Sequence, residues 1–458
     1  MSKFVAFDTY DIRFPTSRRL YGSDAMNPAP DYAAAYVVVR VDAELDGAPL
    51  EGHGFSFTIG RGNEVQLSAI RCLEPLVVGL DCEQVLSDLG SFSRRLVWDS
   101  PLRWLGPEKG VMHMAIGAVV NAMWDLKAKQ AGKPLWRLLC DLSPEELVSL
   151  VDFRYLSDVL DPSEAVDLLA ERSAGLAGRV AVLERQGFPA YTTSAGWLGF
   201  DDARLVTLCR EAVRAGFGLV KLKVGDNQSD DLRRCGLARE AIGEDVALAV
   251  DANQVWDVDE SVRRIQALSR FDLAWVEEPT SPDEVLGLAR IRRAVDVPVA
   301  AGEHVANRVL FKQLLQCAAL DIMQIDACRV AGVNENIANL LMAAKFGTAV
   351  CPHAGGVGLC ELVRHLALFN HAYLDGARLR SGQAAPTEWI DGLHEHFTDP
   401  ARVEGGRYVL PLQPGASTTM RAESIRAYRY PEGAAWAGAA TSPGDGSALG
   451  ELAREGEW

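Results

Sequence analysis

From about residue 148 the chain repeats one unit: a short apolar run ending on a polar residue, then a helical stretch. The runs are VSLVDFRY, LVKLKVG, VALAVDAN, LAWVEEP, VPVAAGEH, LDIMQIDACR and TAVCPHAG. The polar residues near the ends of the last six are Lys223, Asp251, Glu277, Glu303, Asp326 and His353, spaced 28, 26, 26, 23 and 27 residues apart. Each interval holds one strand, one helix and two loops. Near-continuous apolar strands are what a parallel sheet covered on both faces requires. Two architectures meet that condition. A doubly wound sheet gathers its ligands at one switch point, whereas a barrel uses the C-terminal ends of many strands. Six successive polar strand ends therefore predict an α/β fold, a (β/α)8-type (modified TIM) barrel over residues 148–400.

The preceding 147 residues mix types. AAYVVVRVDAEL reads as a strand, GHGFSFTIGRGN as glycine-rich turns, and two helical stretches follow, the second ending at Gly132 and Pro134. Strands and helices in separate blocks predict an α+β capping domain over 1–147. Residues 401–458 lose the repeat. GRYVLPLQPGAS predicts a strand and turn that return to complete the cap, and the last stretch, rich in Gly, Ala and Ser, is expected to be poorly ordered.

A net charge of −16 excludes the basic footprint that nucleic-acid binding needs. The longest apolar stretch, MHMAIGAVVNAMWDL, is too short to span a bilayer. The first residues lack the apolar core of a signal peptide. Nine cysteines at scattered spacing, with no C-x-x-C pair, read as reduced thiols of a cytoplasmic protein. The glycine loops GRGN and GGVG complete no dinucleotide fingerprint.

Asp251, Glu277 and Glu303 close three successive strands. One such carboxylate alone reads as a solvated strand end. Three that converge on one barrel rim repel strongly unless a cation sits among them. An all-oxygen donor set selects a hard ion, Mg2+ first. Glu277 is preferred to Glu278 because alternation from Trp275 puts it on the inner face. Lys221 and Lys223 lie two apart on the preceding strand and so share that face. A neighbouring ammonium and a divalent ion are expected to lower the Lys223 pKa towards that of a general base. His353 follows Asp326 by one unit, and an aspartate can orient an imidazole as in catalytic dyads. A cation that binds a carboxylate acidifies the adjacent C–H. The set predicts proton abstraction next to a carboxylate, ending in racemisation, elimination or cycloisomerisation.

The K-x-K strand, the three carboxylates and the Asp–His pair resemble the mandelate racemase branch of the enolase superfamily. IRFPTS, GSDAMNPAPDYAAAYVV, RWLGPEKGVMHMAIGAVVNAMWDL, YTTSAGWLG, EEPTSPDEVLG and PHAGGVGLCELVRH further resemble its L-fuconate dehydratases. The resemblance implies a Mg2+-dependent dehydration of L-fuconate to 2-keto-3-deoxy-L-fuconate in a symmetric homo-oligomer. It implies Asp251, Glu277 and Glu303 as metal ligands, with Glu303 also touching substrate. It makes Lys223 the C2 base, Lys221 a substrate-carboxylate contact, and His353, aligned by Asp326, the acid for the C3 hydroxyl. Asn253, Tyr32, Ala354, Gly355 and Glu388 become substrate contacts, and Gly22, Ser23 and Asp24 form the loop closing over the sugar acid. Other acid-sugar dehydratases or epimerases use the same scaffold, and a non-catalytic barrel binding protein is the reading from another class.

Overall fold

The computed structural model describes residues 2–45 and 47–437. The N-terminal part is a three-stranded antiparallel sheet of β1 (Phe4–Arg13), β2 (Ala33–Leu45) and β3 (Ala48–Thr58), in that order. The run Ala33–Val39 in the central strand is buried throughout, as a β-branched segment covered on both faces should be. Against β3 packs the helix Gly110–Gln130, buried on nearly every side. The approach is close enough to demand glycine. A Cβ on Gly54 would lie 2.0 Å from the Ala118 carbonyl oxygen, and one on Gly52 2.2 Å from that of Ala122. Among the described residues no helix is long and apolar enough to cross a membrane. This helix also meets the second half of the chain, through Trp124 Nε1 donating to Asn334 Oδ1 at 2.7 Å and Asn121 Nδ2 to the Ala327 carbonyl at 2.9 Å.

Eight parallel strands follow: β4 (Phe188–Gly196), β5 (Leu219–Lys223), β6 (Ala247–Asp251), β7 (Leu273–Glu277), β8 (Val299–Ala301), β9 (Ile322–Met323), β10 (Ala349–Val350) and β11 (Thr387–Trp389). Each from β4 to β9 pairs with the next, and β11 returns to pair with β4. The Glu388 N–H donates to the Pro352 carbonyl at 3.2 Å and links the last strand to the loop after β10. The result is the barrel that the repeat predicts. Its crossover helices are capped by the side chains expected of N-termini, such as Asn227 accepting from Ser229 N and Asn307 from Val309 N. Inside, Tyr191, Leu219, Trp275, Ile322, Ala349 and Cys351 belong to a separate apolar cluster, the filled floor that makes such a barrel a core and not a pore.

The first strand is not where the apolar runs place it. In VSLVDFRY, Val148 and Ser149 end a helix (Pro144–Ser149) started by a Ser143–Glu146 capping box. The residues after it form a turn, pinned by Trp98 Nε1 and Arg308 Nε donating to Asp152 Oδ2 and O, both at 3.0 Å. The barrel opens instead with β4, FPAYTTSAG. Thr192, Thr193 and Ser194 break its apolar run, and tertiary contacts override the pattern.

Beyond the barrel, β12 (Val403–Glu404) and β13 (Arg407–Tyr408) form a hairpin that pairs antiparallel with the start of β4. The chain then returns to the first sheet. Tyr36 Oη donates to the Thr418 carbonyl at 2.9 Å, and Thr418 Oγ1 to the His53 carbonyl at 2.6 Å. Trp436 Nε1 donates to the Arg13 carbonyl at 3.1 Å. Most of the tail expected to be poorly ordered, residues 438–458, lies outside the described residues.

Gly54→Ala tests the close approach of β3 and its helix. The added methyl has no space beside the Ala118 carbonyl, so the two elements must separate. The expected cost is that of core overpacking, about 1–3 kcal/mol, seen as a lower thermal midpoint by circular dichroism. An unchanged midpoint refutes it.

Candidate active site

The strand register assembles the site. Lys223 on β5 pairs with Asp251 on β6, and Asp251 with Glu277 on β7, so three polar strand ends stand side by side. Glu303 follows β8 on the next loop. Asp251, Glu277 and Glu303 each offer an oxygen within 4.8 Å of the others, and all three are buried. Lys223 Nζ lies 2.5 Å from Asp251 Oδ2. Lys221 Nζ lies 2.5 Å from Glu277 Oε1, 3.0 Å from Glu388 Oε1 and 3.5 Å from Asp251 Oδ2. Trp275, two residues before Glu277, donates its indole N–H to Glu277 Oε2 at 3.1 Å.

The carboxylates fit a hard cation. Glu303 Oε2 is buried and has no hydrogen-bond partner, and every donor of the trio is a carboxylate oxygen. Burial pushes the Glu277 pKa well above the carboxylate range; neighbouring Asp251, Glu303 and Glu388 add to that, and Lys221 only partly opposes it. A positive ion among the three would relieve this crowding. A second trio, Glu278, Glu303 and His304, also lies together. There His304 Nδ1 contacts both Glu278 oxygens at 3.1 Å. Burial opposes protonation of His304, but Glu278 and Glu303 overcome it and raise its pKa to about 10. An imidazolium is an ion-pair partner and not a metal ligand.

The fall expected for the Lys223 pKa counts a divalent cation, and the protein groups alone act the other way. Burial does favour the neutral amine, but Asp251 and the other carboxylates outweigh burial and Lys221 together, and the pKa is raised. The sequence reading counted a cation and an ammonium but not the contact with Asp251. Lys221 is raised further, with burial opposed by Glu277 and Glu388.

Nearly opposite Lys223, His353 Nδ1 contacts Asp326 Oδ2 at 2.7 Å, and its Nε2 lies 3.5 Å from Glu303 Oε2. Burial resists a charge on His353, yet Glu303 and Asp326 raise its pKa to about 9. That direction favours a ring with a proton to give. Glu388, on β11, sits inside this group. Burial is overcome by Lys221 and His353, and its pKa falls to about 2.

Lys223, Glu303, His353, Gly355, Glu388 and Asn253 line one cavity of about 400 Å³, closed from the other side by Gly22, Asp24 and Tyr32. Gly22 has φ +82°, and a Cβ there would stand 2.5 Å from the Tyr32 ring, so the loop needs glycine to seat Tyr32. Asp24 Oδ1 accepts from the Met26 and Asn27 N–H groups at 2.8 and 2.6 Å. Three expected contacts are committed elsewhere, Lys221 being enclosed by Glu277, Glu388 and Asp251. Ser23 Oγ bonds the Leu20 carbonyl and the Gly199 N–H, and the Ala354 N–H donates to Glu388 Oε2 at 2.9 Å. The cavity also has walls that the sequence reading did not name: Trp197 after β4, Arg329 three residues past Asp326, and Met26, Phe57 and Met114 from the cap. Trp197 stands just beyond the end of β4, the positional signal that could have found it.

Fold and site together define a barrel enzyme of the enolase superfamily. Residues 28–140 match the mandelate racemase / muconate lactonizing enzyme N-terminal domain, and residues 204–424 match the enolase C-terminal domain-like family. Mitochondrial enolase superfamily member 1 of Bos taurus is 50% identical over 93% of this chain and 96% of its own. The crystal structure of the human protein of that name superposes with a TM-score of 0.93, at 46% identity over 96% of this chain and 99% of its own. L-galactonate dehydratase of Hypocrea jecorina is 46% identical over 94% of this chain and 95% of its own. L-talarate dehydratase of Polaromonas sp. JS666, solved with Mg and L-glucarate, is 25% identical over 94% of this chain and 98% of its own, with a TM-score of 0.69. The chain belongs to the mandelate racemase / muconate lactonizing enzyme family.

Burial and acidic neighbours raise the Glu277 pKa and a carboxylate ligates as the anion, so Mg2+ binding is expected to release protons and to tighten as pH rises. Titration calorimetry in buffers of different ionisation enthalpy measures both. Glu277→Gln is expected to abolish the binding heat. Affinity independent of pH, or retained by Glu277→Gln, contradicts the trio as the metal site.

Proposed function

We propose that this chain is a Mg2+-dependent acid-sugar dehydratase whose substrate is L-fuconate. One observation carries the reading: a lysine amine and an aspartate-held imidazole face the same cavity from nearly opposite strands, with three carboxylates between them. Named relatives that act on sugar acids, the L-galactonate and L-talarate dehydratases, support the class of reaction. A binding protein has no need of this set of proton-transfer groups.

A Mg2+ ion would be held by Asp251, Glu277 and Glu303 and would supply positive charge that stabilises the negative charge developing on the substrate carboxylate. Lys221, which pairs with Glu277 and Glu388, is assigned to hold that carboxylate. Lys223 takes the C2 proton. The C3–O bond then breaks, and His353 gives its proton to the departing hydroxyl, which leaves as water. Asp326 keeps the imidazole oriented, with Nε2 towards the cavity. The enol that remains tautomerises to the 2-keto-3-deoxy acid.

With the carboxylate end among these groups, the far end of the sugar acid points to the cap. There Met26, Phe57, Ile59, Val111 and Met114 line the cavity beside the polar Asp24, Asn27, Tyr32, Thr58, Arg61 and Gln66. A terminal methyl suits the apolar part of that lining better than a hydroxymethyl or a carboxylate. L-fuconate is the 6-deoxy form of L-galactonate, so the two compete for one site, and the relative from Hypocrea jecorina makes L-galactonate the second reading.

Turnover of L-fuconate, L-galactonate and galactarate with Mg2+, followed as 2-keto-3-deoxy acid, tests the substrate. The expected kcat/KM for L-fuconate exceeds that for L-galactonate by about 10–100-fold, the range an apolar pocket gives against an added hydroxyl, with galactarate inert. Preference for L-galactonate installs the second reading, and inertness with every sugar acid defeats both.

The two sides of the site should act separately. Lys223→Ala is expected to lose both turnover and C2 exchange in D2O. His353→Asn is expected to lose about 10²–10⁴-fold in dehydration while still washing deuterium into recovered substrate. If it loses exchange as completely as Lys223→Ala does, proton removal and hydroxyl departure are not separate events.

A further inference from the structure

Trp197 enters none of the steps above, yet its environment is unusual. Its Nε1 is buried and has no hydrogen-bond partner, while its ring lines the cavity that holds Lys223. A buried donor without an acceptor is costly and persists where something outside the chain completes it. Trp256 Nε1 is equally unpartnered, but its ring does not line that cavity.

The position is held firmly. Trp197 directly follows β4, and its carbonyl accepts from Arg234 Nη2 at 3.0 Å; the same guanidinium reaches the Gly196 carbonyl at 3.3 Å and the Phe200 carbonyl at 2.8 Å. The ring packs against Tyr21 at 5.4 Å between centroids, and Lys223 Nζ stands 5.8 Å from its centroid. The barrel order places β4, β5 and β6 side by side. Trp197 and Asn253 therefore follow the two strands that flank the Lys223 strand. Asn253 Oδ1 is the other orphan on this side, buried and unpartnered in the same cavity wall.

An indole nitrogen can only donate, and an amide oxygen can only accept. A ligand that answers both must offer an acceptor to one side of Lys223 and a donor to the other. Neighbouring hydroxyls of a polyol chain do this, since each can act in either sense. Apolar walls cannot, and a carboxylate supplies acceptors alone. We infer that Trp197 is a substrate-specificity residue whose N–H donates to a chain hydroxyl of the sugar acid beyond C3, across Lys223 from Asn253. The inference rests on the acid-sugar reading and deepens it by naming the group that recognises the polyol.

Trp197→Phe keeps an aromatic ring against Tyr21 and Lys223 and removes the N–H. The experiment measures kcat and KM, with Mg2+, for wild type and Trp197→Phe on whichever aldonate the wild type turns over best, and on its 4-deoxy and 5-deoxy analogues. The expected loss in kcat/KM is about tenfold on the parent compound, carried by KM, as for one neutral hydrogen bond. On one deoxy analogue the variant and wild type should become equal, because the missing hydroxyl is the one Trp197 bonds. Equal kinetics on the parent, or the same loss on all three compounds, overturns the assignment; the latter marks a packing role. Wild-type kcat/KM insensitive to both deletions overturns it without reference to the variant. A wild type inert with every aldonate defeats the acid-sugar reading itself, which the other outcomes leave standing.

Discussion

The site is organised around charges buried in one barrel mouth: Lys221 and Lys223 against Asp251, Glu277, Glu303 and Glu388. Taking so many ions out of water is expensive, and each is tolerable only while its partners stay in place. Removing one leaves another uncompensated. Carboxylates outnumber lysines here, which pushes the Glu277 pKa up through burial and its acidic neighbours. The surplus negative charge is the physical basis for a cation, and the Asp251 contact at 2.5 Å raises the Lys223 pKa.

The rest of the molecule serves that cluster. The apolar floor beneath it keeps solvent from entering the barrel from the other end. The cap turns an open mouth into a cavity by setting Gly22, Asp24 and Tyr32 across it. It is fixed from two directions: the helix Gly110–Gln130 bonds into the barrel half through Asn121 and Trp124, and the returning segment is bonded to Tyr36 and His53. The first and last parts of the chain thus meet over a centre built by the middle.

What could be read directly was whatever obeys a period. Strands from LVKLKVG to TAVCPHAG are apolar runs with a polar end, and their inward alternation distinguished Glu277 from Glu278. The first barrel strand could not be read this way. FPAYTTSAG has no apolar run, and its strand conformation depends on pairing with β5, β11 and β13. VSLVDFRY has the run but is held in a helix end and a turn by contacts from Trp98 and Arg308. Nor can a reading of residue types see the contact of 2.5 Å between Lys223 and Asp251.

The sequence by itself determined the barrel repeat, the metal-type trio, the paired lysines and the Asp–His spacing, because a strand's period of two and a constant unit length convert residue number into position on a rim. Only the tertiary structure decided which side chains complete the cavity. Glu388 reaches Lys221 because β11 closes on β4. Ser23 and the Ala354 N–H turn to bonds within the chain, and Trp197, Arg329 and the apolar wall of the cap converge from segments far apart in sequence. Those outcomes depend on closure of the barrel and docking of the cap, which are long-range contacts with no local period to announce them.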